Sequence, residues 1–508
     1  MSSSAERTRF GRAAGWSYVM DGGRQVLSVA VTFVLAAMLG PETFGLAAMA
    51  IVYVLFIDMV QRQGMASALI QRRVLTAAHR DTGFWLVVIT SMVMTVVSVL
   101  GAGWWADVNN TPALEQVIVR LSPLVLLQGL TTVQQALLRR SMSFRLLATR
   151  TLVAVLVGGV VGILGAMAGW GVDALVAQQL TTAGVMVVAL WRASGWRPGG
   201  RFTLKAAGEL LGFSSGAFLT SLAVFVNNRA DALLIGVFFG PFVVGIYRLG
   251  SRLVDMVVAA LVGPVQQIAL PELAPHQDDA PELAVRLERL GRLSVASTVP
   301  VLACLVVVAD PLTETLGGSW QGSAAVIKVL CVVGVVRAVV AVDGPVLQAT
   351  GRPFLQAAVT AGLATLSALT FAMAGVLLED AGTDAQAFGM AVSRAVLFAT
   401  PVLVVHLVIV RRFAGTPPME ELRHLGRPLA VGVLVLLVGS ALDIVLPGPP
   451  IVRLLAVGGG AALVAVAATV RLVPGCAELV VGRLRGRAGS PASRDDEPPV
   501  DPRPFAGV

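Results

Sequence analysis

Charged side chains are scarce in this chain. Asp, Glu, Lys and Arg make up 13% of its 508 residues, about half the share of a typical globular protein, whereas 56% are apolar. Hydropathy stays positive except at the two ends and in a few short loops. This pattern excludes a soluble domain held by a single anchor and indicates one polytopic membrane body.

Sequence motifs of nucleotide-binding, zinc-protease and serine-hydrolase sites are also missing. No G-x-x-x-x-G-K-[ST], H-E-x-x-H or G-x-S-x-G occurs, so ATP is not expected as the energy source, and neither a zinc-protease nor a serine-hydrolase site is expected. Of the four histidines, His406 stands alone in an apolar span, which favours a packing role over proton transfer. The chain is expected to be no enzyme and to need no cofactor. The cysteines are too scattered for a metal site or a disulfide framework: Cys304, Cys331 and Cys476.

Apolar runs predict an all-α fold, because about 20 apolar residues are needed to cross a bilayer as a helix. With the N-terminus placed in the cytoplasm, the basic residues outside the spans concentrate in the inside loops, and the outside loops hold only Arg453. The net charge of +8 is therefore a topology signal, and no nucleic-acid partner is expected. Both termini are predicted to be cytoplasmic. The sequence predicts about fourteen transmembrane helices, at 16–39, 43–60, 83–103, 117–138, 150–169, 172–191, 210–238, 241–263, 294–309, 323–342, 354–376, 387–410, 428–446 and 451–470.

An internal repeat accompanies these spans. Residues 40–45 and 240–245 both read G-P-x-x-x-G, each at the turn of a predicted hairpin. A basic linker separates six spans from the next six, which predicts two parallel six-helix lobes around a central cavity. The leucines of 283–290 predict either a helix on the membrane surface or a solvated linker helix. The predicted parts are an N-terminal lobe (1–191), a cytoplasmic linker (192–209), a C-terminal lobe (210–411), two additional helices (428–470) and a disordered cytoplasmic tail (473–508).

Polar side chains inside the predicted spans mark the candidate site, because a charge at the bilayer centre costs about 2.5–3.5 kcal/mol. Bases outnumber acids there, and guanidinium groups bind phosphate oxygens in bidentate fashion, so an anionic phosphate cargo is favoured. The open alternative for each residue is a structural ion pair, such as Asp21 with Arg24 or Arg252 with Asp255. The candidate substrate-binding residues are Asp21, Arg24 and Gln25 in the first span, Asn228, Arg229 and Asp231 in the seventh, and Arg248, Arg252 and Asp255 in the eighth.

Several segments resemble one family of transporters. The run AAMLGPETFGLAAMA at 36–50 resembles the start of Wzx-type polysaccharide repeat-unit flippases of the multidrug/oligosaccharidyl-lipid/polysaccharide (MOP) superfamily, in particular the colanic-acid-exporter-like branch. Residues 61–85 and 135–144 look like the same branch, and residues 229–236 match its R-x-D-x-L-L-I-G element. Over residues 10–415 the resemblance implies two six-helix lobes, alternating access and a bacterial inner-membrane location. The implied cargo is an undecaprenyl-diphosphate-linked oligosaccharide.

Other functions fit the residues less well. A drug/cation antiporter of the same superfamily would need a net acidic cavity, and a glycan polymerase or ligase would need a large outside loop. The longest outside loop, 104–116, offers only Asp107 and Glu115. A non-transporting scaffold also stays open. The expected partners of a flippase are the lipid-linked oligosaccharide and the bilayer, with other polysaccharide assembly proteins as further candidates. Coupling to a cation gradient or membrane potential is expected, with Asp21, Asp231 and Asp255 as the available carboxylates.

Overall fold

The computed structural model describes residues 2–62, 65–72, 75–140, 144–413, 415 and 418–472, and the predicted disordered tail at 473–508 lies outside these ranges. The described part is all-α. Short 3₁₀ turns occur at Ala274–His276, Gly318–Trp320 and Val340–Val342, and a π-helical turn at Phe398–Val402. The helices are α1 Ser2–Arg62, α2 Met65–Gln71, α3 Ala77–Val108, α4 Ala113–Leu121, α5 Pro123–Arg140, α6 Phe144–Met167, α7 Val172–Ser194, α8 Leu204–Leu273, α9 Ala280–Leu316, α10 Gly322–Val339, α11 Asp343–Ala349, α12 Pro353–Leu377, α13 Thr383–Leu397, α14 Leu403–Phe413, α15 Pro418–Val445 and α16 Pro450–Leu472.

Twelve helical stretches of the described chain are long and apolar enough to cross a membrane, compared with the fourteen separate spans predicted. The counts differ because α1 and α8 each include two of the predicted spans. Each of these helices contains one residue with non-helical backbone angles, Gly40 (φ 75°) and Gly240 (φ 74°). Each glycine precedes a proline, which disfavours the α conformation of the preceding residue, and glycine adopts positive φ without steric cost. The prediction of a polytopic all-α membrane protein is confirmed.

The chain reverses direction at both glycines. Tyr247 Oη donates a hydrogen bond to Asp231 Oδ2 at 3.2 Å, although a continuous helix would separate the two residues by about 24 Å. In the same way, Thr32 and Leu55 line one cavity, although they would lie about 35 Å apart on a continuous helix. Each long helix is therefore a hairpin with a first arm before its glycine and a second arm after it.

The last two helices cover the outer face of α9. Alanines and valines of α15 and α16 form a buried cluster with Ala296 and Ala303 of α9. Close approach is possible because glycines face the α9 valines, Gly432 against Val299 and Gly439 against Val307. The two helices thus pack beside the C-terminal half, away from the contact between α1 and α8.

The leucine-spaced segment before the ninth predicted span is the first part of a longer helix. It belongs to α9, a single helix from Ala280 to Leu316. Its leucines, Leu283, Leu287 and Leu290, are buried against Leu273 at the end of α8 and against α11. The apolar face of the segment is therefore covered by two neighbouring helices.

Candidate functional site

A cavity of about 330 Å³ lies between the N-terminal half of the chain, α1 to α7, and the C-terminal half, α8 to α14. The N-terminal half contributes both arms of α1 together with α5 and α7, and the C-terminal half contributes both arms of α8. The wall residues are Thr32, Leu35, Phe44, Ala47, Ala48, Ile51, Val52, Leu55, Leu124, Gln128, Leu175, Gln178, Gln179, Arg229, Arg248 and Arg252.

Arginines form the C-terminal wall of this cavity. Arg229 lies on the first arm of α8, and Arg248 and Arg252 lie one helical turn apart on the second arm. Among the described residues, none of these three arginines has a carboxylate within 4.0 Å, and Arg252 Nη2 donates instead to Ser28 Oγ at 2.9 Å. Three positive charges therefore face the cavity, and the hairpin reversal at Gly240 is what brings them together.

The two acidic candidates of α8 have arginine partners from later helices. The carboxylate of Asp231 is almost fully buried and forms an ion pair with Arg394 of α13, and Tyr247 donates to the same carboxylate oxygen. Asp255 forms an ion pair with Arg337 of α10 at 2.5 Å. The predicted pair of Arg252 with Asp255 is not formed. These carboxylates hold helices of the C-terminal half together and do not line the cavity.

The candidates at the start of the chain are only partly described. The side chains of Asp21 and Asn228 lie outside the described set. Arg24 and Gln25 are partly exposed and lie about one helical turn before Ser28, the hydrogen-bond partner of Arg252. Arg24 is therefore placed beside the arginine wall, one turn away from the residues that line the cavity.

Amide side chains form the opposite wall. Gln128 of α5 and Gln178 and Gln179 of α7 face the cavity from the N-terminal half, with the Thr32 hydroxyl beside them. None of these three glutamines is among the candidate residues predicted from the sequence. Two adjacent amide residues in the predicted span of α7 could have indicated them. Uncharged amides cost much less free energy in a membrane than charges do, so a search for costly residues does not select them.

One end of the interface between the halves is closed by the two Gly-Pro turns. A Cβ atom on Gly45 would overlap the carbonyl oxygen of Pro241, and a Cβ atom on Gly245 would overlap that of Pro41. The two G-P-x-x-x-G segments thus contact each other reciprocally, backbone against backbone. Only glycine allows this approach, since any side chain would force the two segments apart.

At the end of the interface opposite the Gly-Pro turns, ion pairs and hydrogen bonds connect the linker to the N-terminal half. We call this region, residues 72–85 and 195–209, the basic end. Glu209 of α8 pairs with Arg72, and its Oε2 lies 3.1 Å from His79 Nε2. The hydrogen bond with His79, and to a smaller extent the one with Arg72, holds the pKa of the Glu209 carboxyl below its usual value. Trp85 Nε1 also donates to the Gly199 carbonyl at 3.0 Å.

His406 is not the isolated residue that the sequence suggested. It is fully buried in α14, and its Nδ1 lies 2.6 Å from Asp343 Oδ1 at the start of α11. Asp343 escaped notice because it follows directly after the end of a predicted span. The expectation that His406 stands alone in its span was therefore wrong, whereas its packing role stays a prediction.

Comparison with known proteins places these features in a family. The model of the polysaccharide biosynthesis protein family matches residues 34–325, more than half of the chain. The chain belongs to this family. Its members are transport proteins of polysaccharide biosynthesis rather than enzymes, which confirms the family resemblance of residues 36–50, 61–85, 135–144 and 229–236.

Two relatives have informative names. The lipopolysaccharide biosynthesis protein WzxC of Escherichia coli (strain K12) is 26% identical over 423 residues, 82% of this chain and 84% of that protein. The succinoglycan biosynthesis transport protein ExoT of Rhizobium meliloti (strain 1021) is 26% identical over 310 residues. That match spans 61% of this chain and 62% of ExoT, less than two thirds of its length.

Two solved structures share the fold. The lipid II flippase MurJ in an inward closed conformation superposes with a TM-score of 0.68 at 12% identity, covering 92% of this chain and 99% of MurJ. An inward-facing multidrug resistance MATE family transporter of the MOP superfamily gives a TM-score of 0.59 at 15% identity, covering 76% of this chain and 94% of the transporter. The chain therefore has the MOP fold.

Proposed function

We propose that the protein is a flippase that moves an undecaprenyl-diphosphate-linked oligosaccharide from the cytoplasmic to the outer leaflet of a bacterial inner membrane by alternating access. The observation that carries the proposal is the cavity between the halves, where Arg229, Arg248 and Arg252 present positive charge without a carboxylate partner among the described residues. The names of WzxC and ExoT support a surface polysaccharide repeat unit as the cargo class.

The arginine wall suits the diphosphate of the cargo. A guanidinium group donates two parallel hydrogen bonds to phosphate oxygens, and its charge is insensitive to pH, so three such groups match the clustered negative charge of a diphosphate. A cavity of about 330 Å³ lies in the size range of small-molecule sites. We expect it to hold the diphosphate and the first sugar, while the lipid tail stays in the bilayer.

The amide wall suits the sugar. Gln128, Gln178 and Gln179 offer both hydrogen-bond donors and acceptors opposite the arginines, and sugar hydroxyls need both. A cargo spanning the cavity would thus contact the arginines through phosphate and the glutamines through hydroxyl groups. A net basic cavity of this kind is unfavourable for the organic cations that a drug/cation antiporter would carry.

The proposed topology has fourteen crossings in two parallel six-helix lobes followed by two further helices, with both termini in the cytoplasm. The two hairpins in α1 and α8 support the count, because each supplies two of the crossings. In this orientation the contact between Gly45 and Gly245 closes the cavity towards the outside, and the basic end faces the cytoplasm. Alternating access then requires the halves to separate at the glycines and approach each other at the basic end.

The class of transporter is tested in a strain whose own copy of the gene is deleted. We expect lipid-linked repeat units to accumulate where a membrane-impermeant glycan-modifying enzyme cannot reach them from the outside. Re-expression of the native chain should make them accessible. Single repeat units that are already accessible in the deletion strain would indicate a polymerase, and normal glycan with increased drug sensitivity would indicate an antiporter.

A further inference from the structure

A tryptophan of the C-terminal half reaches across to the N-terminal half beside the Gly-Pro turns. Trp320 lies in the 3₁₀ turn Gly318–Trp320, between α9 and α10. Its Nε1 donates a hydrogen bond to the carbonyl oxygen of Ala36 in α1 at 3.1 Å. Ala36 lies about one helical turn before Gly40, where the first arm of α1 ends. The indole therefore joins the two halves at the end where they meet through their glycines.

Both halves build the pocket that holds this indole. Ala36 of α1 and Leu249 and Leu316 of the C-terminal half form one buried cluster with it. Phe44 of α1 packs edge-on against the indole, with ring centroids 6.0 Å apart and an angle of 74° between the ring planes. This arrangement is favourable for a pair of aromatic rings. Separation of the halves at this end therefore requires the indole to leave its contacts with α1.

Burial distinguishes Trp320 from an ordinary tryptophan of a membrane surface. Tryptophans are enriched at membrane–water interfaces, where their rings lie at the level of the lipid headgroups. Trp104 and Trp170 of the N-terminal half are 65% and 53% exposed, which is consistent with that role. Trp320 is 0% exposed, so its ring faces neither lipid nor water. Its place between the halves points to a role in their relative movement.

The indole pocket adjoins the cavity between the halves. Phe44, which contacts the indole, also lines that cavity, and so does Leu35, the residue before Ala36. Phe44 also precedes Gly45 of the glycine contact directly. A displacement of the cavity wall at Phe44 would therefore act on the indole without any intermediate residue.

We propose that Trp320 is a gating residue, which holds the Gly-Pro end closed and must withdraw from α1 before this end can open. A hydrogen bond between neutral groups suits this role, because its net contribution is small when the separated groups can bond to water instead. An opening that admits water supplies such partners to the indole nitrogen and to the Ala36 carbonyl, so the contact is specific for the closed state and yet reversible. The proposal rests on the proposed function only for the use of this opening in cargo release.

Opening is tested on the purified full-length protein in detergent, without any cargo. Spin labels at the exposed Ala168, between α6 and α7, and Asp380, between α12 and α13, give one position on each half. Both loops lie at the Gly-Pro end, because the C-terminal part of α6 packs against Leu35 and that of α12 against Phe238, shortly before the two turns. The native cysteines are replaced first, so that only these two positions carry a label.

Trp320→Phe is the main variant, since it keeps an aromatic ring but loses the hydrogen-bond donor. We expect it to raise the ratio of open to closed molecules by a factor of about 2 to 13, the equivalent of one neutral hydrogen bond. The change is measured as growth of a long-distance component between the labels. The control Trp104→Phe should leave the distance distribution of the labelled protein unchanged. Equal distributions in Trp320→Phe and in this control overturn the proposal.

Phe44→Leu provides a second variant, because it removes the edge-on ring and leaves the indole in place. It should shift the distance distribution in the same direction as Trp320→Phe. Because both residues act through one contact, the double variant should change the ratio of open to closed molecules by less than the product of the two single effects. An effect equal to that product would contradict a common contact.

Thermal unfolding separates gating from packing. A lower unfolding temperature of Trp320→Phe with unchanged distances would make Trp320 a packing residue only and would overturn the proposal. Should Trp320→Phe fail to fold, native distances in Phe44→Leu would overturn it in the same way. Since no cargo is present in these measurements, failure of the flippase proposal would leave their results unchanged.

Discussion

Gly45 and Gly245 pack against each other where the two halves of the protein meet, so that a Cβ atom on Gly45 would lie 2.7 Å from the Gly245 nitrogen. Each glycine also adjoins the proline carbonyl of the other half. The contact has pseudo-twofold symmetry, because Gly45 of the first G-P-x-x-x-G segment contacts Pro241 of the second, and Gly245 of the second contacts Pro41 of the first. It is the structural counterpart of the sequence repeat.

Substitution of either glycine by alanine should therefore separate the halves at this end. Backbone atoms cannot move aside as a flexible side chain can, so we expect Gly45→Ala and Gly245→Ala each to reduce thermal stability in detergent by several degrees and to reduce export. The matched control is Gly184→Ala in α7, where an added Cβ meets nothing within 4 Å. Equal stability of all three variants would show that the contact does not hold the halves together.

The ion pair of Arg394 with Asp231 should be a stability element of the C-terminal half. Arg394→Ala leaves an almost fully buried carboxylate without its cation, which costs about 3–5 kcal/mol. Tyr247→Phe removes two hydrogen bonds, one donated to Asp231 and one accepted from Arg394, and at about 0.5–1.5 kcal/mol each should cost less than the loss of the cation. Thermal unfolding in detergent measures both. The double variant Asp231→Asn with Arg394→Gln should recover part of the loss, and no recovery would argue against the pair as the cause.

The contacts of Glu209 should loosen in acid. Since its pKa is lowered in the folded protein, their stabilising effect is fully present above the ordinary value of 4.5 and is lost as the pH falls through the lowered pKa. A nitroxide on Gly200→Cys should report an ordered linker at neutral pH and a mobile one in strong acid. Glu209→Gln should make the linker mobile at neutral pH, whereas the control Glu272→Gln should not. A linker equally ordered in Glu209→Gln would show that other contacts hold it.

Reporter tags test the proposed orientation. Tags at the N-terminus, in the linker 192–209 and at the C-terminus should report cytoplasm, because the basic residues concentrate in the loops on that side. Tags near Asn109 and Thr383 should report the outside. A C-terminus outside the cytoplasm would contradict fourteen crossings.

Sequence reasoning located the arginine wall because Arg229, Arg248 and Arg252 belong to one predicted hairpin, whose reversal at Gly240 brings them together. It assigned Asp231 and Asp255 to the cargo because their partners, Arg394 and Arg337, lie far along the chain. Spacing within a helix shows which side chains share a face, but not which helix packs against that face.

The glutamine pair of α7 and the pair of Asp343 with His406 were missed for different reasons. Gln178 and Gln179 carry no charge, so a search for costly residues passes over them. Asp343 lies one residue beyond the end of the predicted span 323–342, so it was not counted among the polar residues inside spans. Its contact with His406 joins residues 63 positions apart in the chain, which spacing along one helix cannot reveal.

The proposed transport of a lipid-linked diphosphate depends most on binding of that diphosphate by the cavity arginines. Arg248→Ala and Arg252→Ala remove cations that have no carboxylate partner among the described residues, so the protein should insert and accumulate normally. Each lost charged hydrogen bond is worth about 1.5–3 kcal/mol, which corresponds to about a 10- to 100-fold loss of affinity. The control is Arg337→Ala, which leaves Asp255 without its ion-pair partner and should reduce protein level.

The deciding measurement is surface polysaccharide per molecule of membrane-inserted protein, determined in the same cells for the native chain and each variant. We predict a sharp fall for Arg229→Ala, Arg248→Ala and Arg252→Ala at unchanged abundance, partial rescue by lysine, which keeps the charge but loses the paired hydrogen bonds, and no export with glutamate. If abundance and export decline together in all three alanine variants, the arginines are packing residues and the cargo site lies elsewhere.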